Sequence, residues 1–272
     1  MPVFTDQLAR TVVLPQIPRR IISLVPSQTE LLFSLGLEES VVGITRFCVH
    51  PNSWFRGKAR IGGTKAIDPA RVDALQPDLI IANKEENERP QVEALAERYP
   101  VWVSDIKTLT DALAMIRSVG ELTGTSPKAD ALAAGITRRF NALTIPPDPT
   151  NVAYLIWRNP WMAAGGDTFI HQMLTHAGFT NIFANKTRYP EIDLSQLVGV
   201  DITILLSSEP YPFRERHIHE IKETLPQARV ELVDGEFFSW YGSRLLLAPA
   251  YFQQLRELLQ EPPEADRPKD KH

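Results

Sequence analysis

The side chains best suited to hold a ligand are aromatic residues and arginines that directly follow predicted strands. Trp157 and Trp161 come just after one strand, with Arg158 between them. A later strand is followed by Phe237, Phe238, Trp240 and Arg244. Aromatic faces stack on flat molecules, and the guanidinium group pairs with anionic groups. These residues therefore predict a binding site for a flat, anionic small molecule.

A third segment of the same character follows the second predicted strand and contains Arg46, Phe47 and His50. An arginine and an aromatic ring beside a cleft suit the same kind of ligand. Each of these positions also has a structural alternative, in which the aromatic ring packs in a core and the arginine lies on a solvated surface. The sequence leaves both alternatives open.

Direct metal binding is not predicted, although the chain has six histidines. His171 and His176 are five residues apart in a predicted helix, so their side chains diverge. His217 and His219 are two residues apart in another helix and point to different sides. Metal sites in proteins need three or four converging ligands. We therefore expect no bare-metal site.

An enzymatic function is not predicted either. Cys48 and His50 lie two residues apart in a loop, a spacing more typical of chance than of a nucleophile and its base. The chain has no G-x-G-x-x-G or GKS/T motif to hold nucleotide phosphates. The role of Cys48 stays open.

Composition restricts the classes of protein. The 272 residues are 43% hydrophobic and 23% charged, as in a globular protein, and the net charge of −4 argues against a nucleic-acid partner. A single cysteine excludes an internal disulfide. The segment MPVFTDQLAR does not resemble a secretory signal. We therefore predict a cytoplasmic location for the chain as it stands, or a periplasmic or lipid-anchored one if a signal segment has been removed.

Short apolar strands alternate with helices in both halves of the sequence. The first half has predicted strands at 20–25, 41–44, 79–82 and 101–103. Residues 110–143 have a helical pattern interrupted at 120–127, and a second strand–helix series follows. This alternation predicts an α/β fold: two lobes with parallel sheets, joined by a single long helix, with a ligand cleft between the lobes. The predicted domains are 1–125 (N-terminal lobe), 126–148 (linking helix), 149–260 (C-terminal lobe) and 261–272 (disordered tail).

Several segments together resemble a known family. They are residues 20–31 (RIISLVPSQTEL), 42–45 (VGIT), 61–63 (IGG) and 75–81 (LQPDLII), followed by Asn159-Pro160, Gly165, Gly178 and 181–183 (NIF). Over residues 10–258 the chain is similar to the class III, helical-backbone periplasmic substrate-binding proteins. Within that family it most resembles the branch that binds vitamin B12 and ferric siderophores.

The resemblance implies a function without catalysis. Such proteins bind a metal chelate between two lobes and pass it to a membrane ABC transporter. We therefore expect a monomer that binds a corrinoid such as cobalamin, or a ferric siderophore, has no intrinsic cofactor, and serves an ABC transporter or is a soluble relative of such a component. Phe237, Phe238 and Arg244 resemble in type the family segment that meets the corrin ring. Alternatives are an intracellular sensor or storage protein for a tetrapyrrole, and a two-lobed tetrapyrrole-processing enzyme.

One departure from the family concerns docking to the permease. Family members usually offer one acidic residue on each lobe to permease arginines, and the matching positions here are Ala70 and Ser195. Asp68 and Asp193 lie two residues upstream and could substitute imperfectly. We therefore predict that the chain does not dock productively on a vitamin B12-type permease.

Overall fold

The chain folds into two α/β units within residues 2–261, which are the residues that the computed structural model describes. Of these, unit 1 comprises residues 2–137 and 240–246, and unit 2 comprises 138–239 and 247–261. The expected disordered tail, 261–272, lies outside the described residues except for Glu261. The domain boundaries drawn from the sequence stay predictions.

Unit 1 is built on a parallel sheet. Its strands are β1 (Val3–Thr5), β2 (Thr11–Val13), β3 (Ile21–Ser23), β4 (Val41–Ile44), β5 (Ala59–Arg60), β6 (Gly62–Gly63), β7 (Ala66–Ile67), β8 (Leu79–Asn83) and β9 (Val101–Ser104). The main sheet has the order β5-β4-β3-β8-β9, and its neighbours pair in parallel. The pairs β1-β2 and β6-β7 are antiparallel. The apolar runs of β3 and β8 are buried, as expected for a sheet covered on both faces.

The helices are α1 (Pro26–Ser34), α2 (Asn52–Gly57), α3 (Pro69–Leu75), α4 (Arg89–Ala96), α5 (Leu109–Leu122) and α6 (Ser126–Asn141). Asp68 caps α3 and Pro69 occupies its first turn, as the sequence predicts. The residues Ser27-Gln28-Thr29-Glu30 have the sequence pattern of a capping box, but the structure does not form one. Proline is favoured in the first turn of a helix, so α1 begins at Pro26 with Val25 as its N-cap, and Glu30 makes a different contact.

The helical middle of the chain consists of α5 and α6, and Gly124 between them has a φ of +68°. In α6, Ala129, Ala133 and Ile136 recur on one buried face at helical spacing. This pattern agrees with the linking helix predicted from the sequence, although α6 ends at Asn141.

Unit 2 repeats the parallel design. Its strands are β10 (Thr150–Trp157), β11 (Met162–Ala163), β12 (Phe179–Asn181), β13 (Thr203–Ser207) and β14 (Arg229–Val233). Its helices are α7 (Phe169–His176), α8 (Glu215–Thr224), α9 (Glu236–Ser239) and α10 (Ala248–Gln260). The sheet order is β11-β10-β13-β14, with β12 beside β10. All pairs are parallel except the β10-β11 hairpin. The α/β class with two parallel sheets is therefore confirmed.

The polar segment 45–65 contains Pro51, Gly57, Gly62 and Gly63, which predict a long loop, but the structure is more ordered. It contains α2 and the short strands β5 and β6. Trp54 of α2 is 1% exposed, so burial of one large ring anchors this polar segment. Within residues 2–261, none of the helices has both the length and the apolar character needed to cross a bilayer.

Candidate functional site

The carboxyl ends of parallel strands meet at one edge of a sheet, which is where open α/β folds bind ligands. In unit 1 the loop after β4 brings Arg46 and Phe47 to this edge. Phe47 is 48% exposed, and the Arg46 guanidinium lies 5.1 Å from the centre of its ring. A Cβ atom on Gly63 would lie 3.1 Å from that ring, so glycine allows the close approach. These two predicted site residues are accessible at the edge.

A layer of buried polar side chains lies beneath this edge, and the sequence reading did not identify it. We call it the polar layer; its members are Ser23, Gln28, Thr29, Asn83 and Ser104, each 3% exposed or less. The Ser104 hydroxyl accepts hydrogen bonds from the Gln28 amide at 2.7 Å and the Asn83 amide at 3.0 Å. Thr29 donates to the Ser23 hydroxyl at 2.8 Å. These bonds fix the ends of β3, β8 and β9.

Cys48 belongs to the same region. Its sulfur lies 3.1 Å from the Thr29 hydroxyl oxygen, and the side chain has no exposed surface. Burial raises the pKa of the Cys48 thiol. A buried, protonated thiol is a poor nucleophile, which argues against the Cys48–His50 alternative.

The segment 240–246 lies against α1 within unit 1. A Cβ atom on Gly242 would lie 2.5 Å from the Ser27 carbonyl oxygen. Arg244 donates to the Glu30 carboxylate through Nη2 at 2.7 Å and Nε at 3.2 Å. The Arg244 guanidinium also lies 4.7 Å from the Trp240 ring centre. We call Glu30, Arg244 and Trp240 the unit 1 triplet.

The unit 1 triplet gives the protein partners of two residues that are predicted to meet a ligand. Arg244 pairs with the Glu30 carboxylate of α1, and its contact with a ligand stays a prediction. Trp240 is 5% exposed, and the His50 ring meets it edge-on at 5.6 Å. His50 and Trp240 are therefore brought together, with most of the Trp240 surface already covered.

Unit 2 carries a corresponding group at the end of β10. Arg158 donates through Nε to both carboxylate oxygens of Glu220, at 2.8 and 2.6 Å, and its guanidinium lies 5.5 Å from the Trp161 ring centre. Trp161 stacks on Phe213 at 6.0 Å and packs against the unit 2 core. We call Glu220, Arg158 and Trp161 the unit 2 triplet. Sequence reasoning gave Glu30 a role only in a capping box and did not single out Glu220.

Trp157 has a different environment from Trp161. It is 41% exposed and meets Tyr211 edge-on at 5.5 Å. A large, partly exposed ring at the carboxyl edge offers a stacking surface. Of the two tryptophans after β10, Trp157 is therefore the better placed to contact a ligand.

His217 organises the loop that carries Tyr211. Its Nδ1 accepts from the Arg214 amide at 2.9 Å, and its Nε2 lies 3.2 Å from the Tyr211 hydroxyl and 3.3 Å from Nε of Arg216. Burial and the neighbouring Arg216 lower the pKa of His217, which favours the neutral ring. His217 is thus a structural residue of unit 2.

The aromatic run after β14 separates into a surface residue and a core residue. Phe237 is half-buried and stacks on Tyr251 at 4.4 Å. Phe238 has no exposed surface and packs 5.1 Å from Tyr154 and 5.0 Å from Phe252. The short helix α9 turns neighbouring side chains to different sides, so Phe238 belongs to the core. We leave it out of the proposed site.

A second centre at these edges would require converging metal ligands or a cavity lined by the predicted site residues. Within residues 2–261, no three His, Cys, Asp or Glu side chains are arranged to hold a metal ion. A cavity of about 420 Å³ is lined by residues 10–13 and 96–101, between β2 and the amino end of β9. It contains none of the predicted site residues.

Comparison with known proteins places the chain in a family. The family model described as periplasmic binding protein matches residues 21–228. A vitamin B12-binding protein of Pectobacterium atrosepticum is 26% identical over 262 residues, covering 92% of each chain. The periplasmic vitamin B12 binding protein of Vibrio cholerae has a TM-score of 0.72 at 19% identity, covering 91% of this chain and 100% of its own. The periplasmic haem binding protein of the same organism has a TM-score of 0.74 at 20% identity, covering 89% and 99%. This chain belongs to the periplasmic binding protein family.

Proposed function

We propose that this chain binds a metal chelate, without changing it chemically, at the carboxyl edges of its parallel sheets. It would do so as the substrate-binding component of an ABC transporter or as a soluble relative of such a component. Membership of the periplasmic binding protein family supports this role. The similar proteins named above bind vitamin B12 or haem, both of which are flat metal chelates.

The observation that carries the proposal is the exposure of aromatic rings at these edges. Phe47 in unit 1 and Trp157 in unit 2 are each more than 40% exposed, although the hydrophobic effect favours burying such rings. An aromatic ring left at the surface of such a sheet edge, where open α/β folds bind ligands, is suited to stack on a flat ligand. That the ligand lies between the two lobes, as the family resemblance implies, stays a prediction.

The direct test is the absorbance spectrum of the protein after gel filtration. The protein is incubated separately with hydroxocobalamin, haemin and a ferric hydroxamate siderophore, and unbound ligand is removed. We expect one of the three chromophores to stay with the protein at a ratio near one per chain. If none is retained at micromolar concentration, the proposal is wrong.

A matched pair of phenylalanines tests the location. Phe47 and Phe33 are 48% and 41% exposed, but Phe33 lies near the carboxyl end of α1, away from the sheet edge. Phe47→Ala and Trp157→Ala should each weaken binding of the retained chelate by about 1–3 kcal/mol, as loss of a stacking ring does. Phe33→Ala should leave the affinity unchanged. Equal losses in all three variants would contradict the assigned edge.

Docking to a permease belongs to the same proposal. Ala70 and Ser195 carry no charge, and Asp68 and Asp193 act as N-caps. Asp68 accepts from the Ala70 and Arg71 amides at 3.1 and 3.3 Å, and Asp193 accepts from the Ser195 amide at 2.9 Å. Carboxylates already bonded to their own helices are less free to pair with a permease arginine. We therefore expect weak docking on a vitamin B12-type permease.

A pull-down with the permease from the same source tests this expectation. The native chain should bind weakly, and the double substitution Ala70→Glu with Ser195→Glu should strengthen binding. Tight binding by the native chain would contradict it. Weak docking by every variant would favour the alternative function, a sensor or storage protein for a tetrapyrrole.

The compartment is the remaining part of the proposal. The similar binding proteins of Vibrio cholerae are periplasmic, which supports the periplasmic alternative over the cytoplasmic one. Fractionation of cells that produce the protein from its natural gene, followed by immunoblotting, distinguishes the two.

A further inference from the structure

We propose that the cavity between β2 and the amino end of β9 in unit 1 binds a small zwitterion, an α-amino acid with an aliphatic side chain. The cavity has a volume of about 420 Å³ and is lined by residues 10–13 and 96–101. Sites for small molecules in proteins typically have volumes of about 300–1,000 Å³. The cavity lies away from the carboxyl ends of the parallel strands, so the inference is independent of the proposed function.

The first step is a donor that lacks an acceptor on the β2 side. Arg10 lines the cavity, and its Nη2 is buried and has no hydrogen-bond partner within residues 2–261. A buried polar atom without a partner costs free energy, and an arginine nitrogen can only donate. The cavity wall at Arg10 therefore needs an acceptor, which a ligand can supply.

The ion pair of Arg10 compensates its charge only in part. Nε of Arg10 donates to the Asp6 carboxylate at 2.8 Å, and the Asp6 side chain has no exposed surface. The same carboxylate accepts from the backbone amides of Leu8, Arg10 and Val103 at 2.9, 2.8 and 3.3 Å. Four donors thus share one carboxylate. A second carboxylate, from a ligand, is the acceptor that best matches the remaining guanidinium nitrogen.

The second step is the opposite polarity of the wall at the end of α4. Ala96 is the last residue of α4, Glu97 follows it, and both line the cavity. The Ala96 carbonyl lacks its helical partner, because Pro100 four positions later has no N–H, and the carboxyl end of a helix carries a partial negative charge. Glu97 adds a carboxylate, whereas the neighbouring Arg98 is already paired with Asp73 at 2.8 Å. This wall suits an ammonium group.

The third step is the apolar character of much of the remaining lining. Val12 and Val101 are 4% and 5% exposed, and Pro100 lies beside them. The Tyr99 ring also lines the cavity, and its hydroxyl is already bonded to Asp73 at 2.8 Å. A simple anion would leave the acceptor wall unused, and a simple cation would leave Nη2 of Arg10 without a partner. An aliphatic amino acid provides a carboxylate, an ammonium group and an apolar side chain together.

Three related ligands that differ by one charge provide the test. L-leucine has both charges, L-leucinamide lacks the carboxylate, and N-acetyl-L-leucine lacks the ammonium group. Each is titrated into isotopically labelled protein, and the amide chemical shifts are followed by nuclear magnetic resonance. We expect L-leucine to shift the amides of Thr11, Val13 and Val101. It should bind at least about tenfold more tightly than either analogue, because each analogue loses one charged contact.

Substitutions at the two walls assign the charges. Arg10→Gln should weaken binding of L-leucine at least about tenfold and leave binding of L-leucinamide unchanged. Glu97→Gln should weaken binding of L-leucine by about threefold, as loss of an exposed charge does, and leave binding of N-acetyl-L-leucine unchanged. Circular dichroism of each variant shows whether it is folded.

A third variant leaves the Arg10–Asp6 pair intact. Val13 lines the cavity and is 42% exposed, so Val13→Trp places a large ring at the wall and should abolish binding of L-leucine. Val198→Trp is the matched control, because Val198 is an exposed valine of unit 2 that does not line the cavity. It should leave binding of L-leucine unchanged.

Several outcomes would overturn the inference. They are the absence of amide shifts at millimolar L-leucine, shifts confined to residues 45–47 at the sheet edge, and unchanged binding in Val13→Trp. Binding of N-acetyl-L-leucine as tight as that of L-leucine would show a site for anions in general and would overturn the assignment to a zwitterion. Equal binding of L-leucinamide would overturn it in the same way, by showing that the carboxylate is not recognised.

Discussion

The two sheet edges carry similar groups but are supported in different ways. In unit 1 the edge rests on the polar layer, where Gln28 and Asn83 converge on the Ser104 hydroxyl. In unit 2 it rests on packed rings, with Phe238 between Tyr154 and Phe252. A hydrogen bond depends on the direction in which its donor and acceptor point, whereas packed rings depend on how completely their volume fills the core. The unit 1 edge should therefore be sensitive to loss of polar groups, and the unit 2 edge to loss of volume.

The largest effect is expected from a substitution that removes one of the packed rings beneath the unit 2 edge. Phe238→Ala removes a ring with no exposed surface and leaves a cavity, so it should lower the free energy of unfolding by about 3–5 kcal/mol. Phe237→Ala is the matched control; this half-buried ring should cost about 1–2 kcal/mol. Urea denaturation followed by circular dichroism measures both. A cost for Phe237→Ala equal to that for Phe238→Ala would place both rings in the core.

The next largest effect is expected from a substitution in the polar layer of unit 1. Asn83 accepts from the Glu85 and Glu86 amides and donates to Ser104, so it holds the loop after β8. Asn83→Ala should lower the free energy of unfolding by about 1–3 kcal/mol because buried partners lose their hydrogen bonds.

Lys84→Ala is the control for the same loop. Lys84 is exposed and pairs with Asp105, an interaction worth less than about 1 kcal/mol. A larger loss for Lys84→Ala than for Asn83→Ala would contradict the assigned role of the polar layer. Hydrogen exchange of the amides in residues 84–87 should rise in Asn83→Ala alone.

A smaller effect is expected for the coupling energies of the ion pairs in the two triplets. Arg244 and Glu30 are less exposed than Arg158 and Glu220, so their interaction is less screened by water. A double-mutant cycle should give a coupling energy of about 1.5–3 kcal/mol for Glu30 with Arg244. The cycle for Glu220 with Arg158 should give about 1 kcal/mol. Equal coupling energies would show that burial does not distinguish the two groups.

The smallest effect is the pH dependence that two histidines of unit 2 contribute. Burial lowers the pKa of His217 below its ordinary value of 6.5, and the unfolded imidazole is not so affected. The unfolded state therefore binds more protons at low pH, and the free energy of unfolding should fall as the pH drops below about 6.5. Burial lowers the pKa of His176 in the same direction, so both histidines contribute.

Thermal unfolding between pH 5 and pH 8 measures this dependence. His217→Gln should reduce the loss of stability at low pH, because one of the two contributing groups is removed. His219→Gln is the control, since His219 is exposed on the same helix. The assignment fails if His219→Gln flattens the profile and His217→Gln does not.

Much of the fold could be predicted because the signals are local. Asp68-Pro69 predicts the start of α3, and the apolar run at Leu79 predicts β8; both are confirmed. A capping side chain and a buried strand depend mainly on residues that are close in the chain. The Ser27–Glu30 capping box failed for a related reason, since the proline before it begins the helix.

The candidate site was less predictable because neighbouring residues take different environments. Trp157 and Trp161 follow the same strand, yet Trp157 is exposed and Trp161 packs against the core. Phe237 and Phe238 are adjacent, yet Phe237 is half-buried and Phe238 has no exposed surface. A single residue step reverses the direction of a side chain in a strand and turns it by about 100° in a helix. Composition of a loop therefore indicates a site without assigning its members.

The sequence by itself determined the α/β class, the alternation of the main strands with helices and the concentration of aromatic residues and arginines after the strands. It determined these because apolar periodicity, caps and turns act over a few residues. The tertiary structure alone decided the partners of those arginines. Glu30 and Arg244 are 214 positions apart, and Arg158 and Glu220 are 62 apart. Charges so distant in the chain meet only when the packing of strands and helices brings them together, and that packing depends on all the residues of a unit at once.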